Sequence, residues 1–151
     1  MENINRRSAL TLGAAAAAAT PLLAFVTPAL AGGGGVPNYG PTDGKELGPG
    51  RRVVEVGEVE SQIAAYKIVK IIDVVYQPGA GDPVPAADDK GMDVDMICHI
   101  MAGEFTIQKK GIPAYTVKEG FLYTCGKGKT DQATNISKVV GIHRIALLIP
   151  A

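Results

Sequence analysis

Few side chains in this sequence have types and spacing that can do chemistry. Its cysteines are Cys98 and Cys125, and its histidines are His99 and His143. In VDMICHIM, residues 94–101, strand alternation sets Met96, Cys98 and Ile100 on one face and Ile97, His99 and Met101 on the other. The same alternation near the C-terminus groups His143 with Ile145, Leu147 and Ile149. Between them lies GFLYTCGKGKTDQATN, residues 120–135, which carries Tyr123, Cys125 and Asp131. Thiolate, thioether and imidazole together suit copper(I) or zinc. An even cysteine count in an exported chain makes a Cys98–Cys125 disulfide an option, and two free buried thiols are the other reading. Asp131 offers a hard oxygen ligand or a general base. A lone carboxylate is a poor transition-metal site, however, and a turn aspartate bonded to nearby backbone explains it equally well. A lone His on an apolar strand and Met96 in a run of apolar residues also fit plain core packing. No Gly-rich phosphate loop, Gly-x-Ser-x-Gly elbow or Cys-x-x-Cys pair is present, and Glu58 and Glu60 read as a solvated face.

The elements that must position these residues read as β-structure from Arg52 onward. YKIVKIIDVVY, residues 66–76, is dense in β-branched residues, which suits a strand better than a helix, and Pro78-Gly79 ends it. VDMICHIM is followed by Gly103 and by Phe105 and Ile107 alternating with Thr106 and Gln108, a pattern of two strands joined by a tight turn. Lys110-Gly111 and Glu119-Gly120 mark further turns around a strand that carries Tyr115 and Val117. VVGIHRIALLIP supplies a last apolar strand. Seven or eight short strands with no convincing helix predict a sandwich or barrel.

The chain has 151 residues, a length for one domain. Residues 1–31 read as a cleavable export signal: Arg6 and Arg7 open it, an Ala- and Leu-rich run follows, and Ala29-Leu30-Ala31 forms the small-residue cleavage site. The arginine pair resembles a twin-arginine signal, with Ser8 in its variable place, Leu10 fitting, and Ala9 where Phe is common. The expected location is the periplasm, with no membrane association once the signal is removed. Folded export suits a protein that acquires a cofactor or partner inside the cell, without requiring either. Residues 32–50, GGGGVPNYGPTDGKELGPG, read as a flexible lead-in, which leaves residues 51–151 as the domain. Loss of Glu2, Arg6 and Arg7 from a balance of 15 acidic and 15 basic side chains leaves a formal charge of −1. A nearly neutral chain with no basic cluster excludes phosphate-driven nucleic-acid binding.

The stretch from Gly120 to Asn135 resembles the second motif of the cupin superfamily: Gly, five residues, Pro, one, Gly, two, His, three, Asn. Gly120, Gly128 and Asn135 hold their places, Gly126 stands where Pro is usual, and Asp131 stands where the metal-binding His is usual. Counting back from Gly103 along the first cupin motif puts Met96 in the place of its Glu, and DPVPAADDKGMDV has no histidine where two belong. The resemblance runs from about Val53 to Pro150 and implies an all-β, cupin-type jelly-roll β-barrel whose usual site of three histidines and one glutamate cannot form. It further implies that Met96, and with it Cys98, points inward, and that the strands of Cys98 and Cys125 are neighbours in one sheet, which opens the disulfide between them. Family habit adds a homodimer. Two functions follow as expectations. One is a non-catalytic small-molecule-binding or structural module without cofactor, its pocket formed by Met96, Ile100 and Tyr123 with Asp131 at the mouth. The other is an enzyme or metal handler that binds copper or zinc through Cys98, Cys125 and His143.

Overall fold

The computed structural model describes residues 35–151; the export signal expected over residues 1–31 lies outside the described residues. Nine strands and no helix are present among the described residues. They are β1 (Lys45–Gly48), β2 (Arg51–Glu60), β3 (Tyr66–Tyr76), β4 (Asp95–Ala102), β5 (Glu104–Gln108), β6 (Tyr115–Lys118), β7 (Leu122–Cys125), β8 (Gln132–Asn135) and β9 (Gly141–Pro150). A six-stranded antiparallel sheet runs β1-β2-β3-β9-β4-β7, and a three-stranded sheet runs β6-β5-β8. The β-branched run of residues 66–76 forms β3 as read, central in the larger sheet between β2 and β9.

Two expectations are corrected. Gly103 does not close a hairpin, because β4 pairs with β9 and β7 whereas β5 pairs with β6 and β8. Its positive φ of 84° turns the chain from one sheet into the other, a conformation open to glycine at little cost. The lead-in is not simply flexible either, since β1 lies within residues 32–50 and pairs with β2. The Arg52 guanidinium donates to the carbonyls of Thr42, Asp43 and Gly44. The Tyr39 hydroxyl donates to Asp73 at 2.6 Å. Backbone pairing and these polar anchors hold a segment whose composition offers little apolar surface.

The core lies between the sheets. Val74, Tyr76, Cys98 and Ile100 meet Phe105, Ile107, Val117 and Ala133 from the smaller sheet. Tyr76 and Phe105 pack edge to face at 5.2 Å. Gly141 is required here, because a Cβ on it would stand 2.5 Å from the Phe105 ring. Asn135 is fully buried and acts as a pin. Its amide donates to the carbonyls of Val139, Tyr76 and Gln77, and its Oδ1 accepts from the Ser137 backbone and hydroxyl. One buried side chain thus ties the end of β3 to the turn that precedes β9.

Candidate functional site

Antiparallel register fixes what the larger sheet presents inward. Met96, Cys98 and Ile100 on β4 stand opposite Leu147, Ile145 and His143 on β9. On the other side of β9, His143 and Ile145 stand opposite Val74 and Ile72. β7 adds Tyr123 opposite Cys98 and Cys125 opposite Met96. Because side chains alternate, all of these share one face, and Met96, Cys98, Ile100 and His143 are buried as that face requires.

This face opens into a cavity of about 580 Å³. Ile72, Val74, Ile145 and Leu147 form an aliphatic wall, Met92 and Met96 add thioethers, and Asp131 and His143 supply the polar edge. The segment from Asp82 to Met92 covers one side and is fixed at both ends. Asp82 accepts from Arg51 at 2.7 Å, from the Tyr76 hydroxyl and from the Ala133 backbone. At the other end, Met92 exchanges backbone hydrogen bonds with Lys129 and Gly128.

His143 Nε2 and the Tyr123 hydroxyl are hydrogen-bonded at 3.0 Å, and their rings stack with centroids 5.6 Å apart. Burial lowers the His143 pKa to about 4, with Asp73 acting weakly the other way, so the imidazole is neutral near pH 7. Burial also raises Asp131 above the ordinary carboxylate value, and the nearby Lys109 ammonium and Tyr123 hydroxyl offset part of this. Tyr123 is pushed up by burial, with the Cys98 and Asp131 charges adding to it. Two buried atoms of this edge, Asp131 Oδ1 and His143 Nδ1, have no hydrogen-bond partner.

Of the residues singled out in the sequence, Met96, Asp131 and His143 line the cavity. Ile100 and Cys98 are wholly buried behind it, and Tyr123, which is not on the lining, is hydrogen-bonded to His143 and acts on Asp131. Cys125 faces a separate cleft of about 450 Å³, beside Lys109 and Lys129. The cavity residues that sequence reading missed include Met92, Asp82 and the β3 pair Ile72 and Val74. Alternation along β3 carries a signal for the pair, but nothing marks Met92 in its loop.

The Cys98–Cys125 disulfide is corrected: both cysteines are free. Register sets Cys125 opposite Met96 and Cys98 opposite Tyr123, so the two are diagonal neighbours. Diagonal positions lie about 7–8 Å apart, against about 4.4–6.8 Å between the Cα atoms of a disulfide. Burial pushes the Cys98 thiol up to about 12 and raises Cys125 as well, so neither is a thiolate near pH 7. Among the described residues no group of three His, Cys, Asp or Glu side chains is placed to hold a metal ion, so Cys98, Cys125 and His143 are not drawn together as a ligand set. The usual metal of the cupin motifs fits no better, because Met96 and Asp131 stand at two of its ligand positions.

The architecture defines the class: the chain has the cupin jelly-roll fold. It is similar to KdgF from Halomonas sp., at 14% identity over 70% of this chain and 87% of that one, with a TM-score of 0.55. An RmlC-like cupin from Shewanella frigidimarina is similar at 15% identity over 76% and 89% of the two chains, with a TM-score of 0.53. The cupin domain of an XRE-family transcriptional regulator from Enterobacter cloacae is similar at 14% identity over 68% and 99%, with a TM-score of 0.51. No protein-family model matches the sequence, and no curated protein is significantly similar to it. At such identities the likeness establishes the fold alone.

Proposed function

We propose that this chain is a non-catalytic module of the periplasm that binds a small molecule in the cavity between β3, β9, β4 and the 82–92 segment. The observation that carries this reading is the chemistry of the cavity wall. About 580 Å³ lies within the range of about 300–1,000 Å³ typical of small-molecule sites, and the lining is mostly aliphatic and thioether, with the carboxylates of Asp82, Asp89 and Asp131, the Tyr76 ring and one imidazole as its polar groups. The nearest thiols are protonated and lie behind the wall or beside another cleft, so no activated nucleophile faces the cavity. A homodimer is part of the proposal. Its support is the outer face of the larger sheet, where Val59, Ile97 and Leu122 are exposed apolar side chains.

The test is native mass spectrometry and elemental analysis of protein isolated from the periplasm without added metal. A bound organic mass displaced on unfolding, with metal well below one per chain, is the expected result. Copper or zinc at about one per chain, lost in His143→Ala, would overturn the reading in favour of the metal-handling alternative. Full-length chain retained in the cytoplasm, with residues 1–31 intact, would remove the periplasmic part.

A further inference from the structure

Resting on that reading, we infer that the ligand is an apolar, uncharged or cationic molecule whose head group donates a hydrogen bond to Asp131 Oδ1 and pairs with His143 Nδ1, and that carboxylates and phosphates are excluded. The inference stands on which polar atoms of the site are already used. Asp82 lines the cavity, but Arg51, Tyr76 and the Ala133 backbone occupy its oxygens. His143 spends Nε2 on Tyr123. That leaves Asp131 Oδ1 and His143 Nδ1 as buried atoms of the lining with no partner in the protein. His143 is only 3% exposed, so bulk water does not serve that edge freely.

Buried groups of this kind discriminate strongly, because a ligand that satisfies them is favoured and one that leaves them unpaired is penalised. The sign of the head group follows from charge. Asp82, Asp89 and Asp131 are on the lining and no lysine or arginine is. Of the cations around it, Arg51 is taken up by Asp82 at 2.7 Å, and Lys109 donates to the Thr124 carbonyl at 2.6 Å and sits over the Tyr123 ring at 4.6 Å, on the side of the other cleft. An anionic head group would therefore meet carboxylates with no cation on the lining to receive it. The body of the ligand meets Ile72, Val74, Met92, Met96 and Ile145, so it is hydrocarbon, aromatic or aliphatic.

Three probes of nearly one shape test this by titration calorimetry: 2-naphthol, 2-naphthoate and 2-methylnaphthalene. The expected order places 2-naphthol tightest by roughly tenfold or more over both others, with that advantage lost in Asp131→Ala and reduced in His143→Gln. Circular dichroism confirms that each variant is folded. If 2-methylnaphthalene binds as well as 2-naphthol, the cavity binds but its polar edge does not select, and the inference falls while the binding reading stands. Tightest binding of 2-naphthoate has the same effect. No heat with any probe and no displaceable organic mass in the native protein would remove both the inference and the reading beneath it.

Discussion

Replacing His143 with Gln isolates how mild acid acts on the cavity wall. The imidazole has an ordinary value of 6.5 and is lowered to about 4 by burial. Between those values the unfolded chain carries a proton on His143 that the folded chain does not. Acidification therefore favours the unfolded state, and stability falls as pH drops from above 6.5 toward 4. At about 1.4 kcal/mol per unit, the loss is about 2 kcal/mol by pH 5 and about 3 kcal/mol by pH 4. Asp131 acts in the opposite sense. Its folded value is raised above 3.8, so its contribution is fully present below that value and is lost as pH rises through the folded one. The difference between native protein and His143→Gln at each pH therefore reports the histidine. Gln keeps an amide within reach of the Tyr123 hydroxyl and carries no titrating proton. Urea unfolding at about pH 7.5 and about pH 5 measures it through the shift in midpoint at constant slope. The native protein should lose about 2 kcal/mol more than the variant over this interval. Equal losses in the two proteins would mean that His143 is not held neutral and buried, and the account of the polar edge would fail.

Cys98 and Cys125 should be silent to Ellman's reagent in the native state and give two thiols per chain after unfolding without reductant; no thiol after unfolding would restore the disulfide. Tyr39→Phe should lower stability by about 1–2 kcal/mol in urea unfolding, because it removes a donor from the buried Asp73 carboxylate, which Arg144 alone then holds; an unchanged midpoint would show that residues 35–44 are not anchored there. Ile97→Glu places a charge on the outer face of the larger sheet, where Ile97 is 45% exposed. By sedimentation it should give a folded monomer from a dimeric parent, and a dimer that persists would move the interface elsewhere.

How much of this was legible depended on whether local pattern carried the information. β3 was readable because six β-branched residues in YKIVKIIDVVY leave a helix little to favour it. Alternation grouped Met96, Cys98 and Ile100 on one face of β4, the cupin resemblance implied that this face points inward, and all three are buried. β1 was not, since KELG has no strand propensity and exists as a strand through its pairing with β2. Gly103 announced a reversal but not its destination, because a positive φ serves a hairpin and a crossing between sheets alike. The disulfide failed on register: the cupin resemblance set the two cysteines on neighbouring strands, yet one two-residue offset separates bonded from diagonal neighbours, and no local pattern encodes that offset.

The site shows the same division. Asp131 attracted notice by standing in a motif position, but a motif carries no information on partners. What makes it unusual is that folding buries it on a cavity wall that also carries a neutral imidazole and leaves one oxygen unpaired. Asp82, in no motif, receives three donors and becomes a structural anchor. Two aspartates on one cavity wall thus take opposite roles by their hydrogen-bond accounts alone. The same burial that protonates Cys98 and neutralises His143 leaves the wall poor in cations. Such a wall suits a hydrogen-bond donor carried on a hydrocarbon body better than an anion, and for that reason Asp131 and His143 together, more than either alone, set what the cavity accepts.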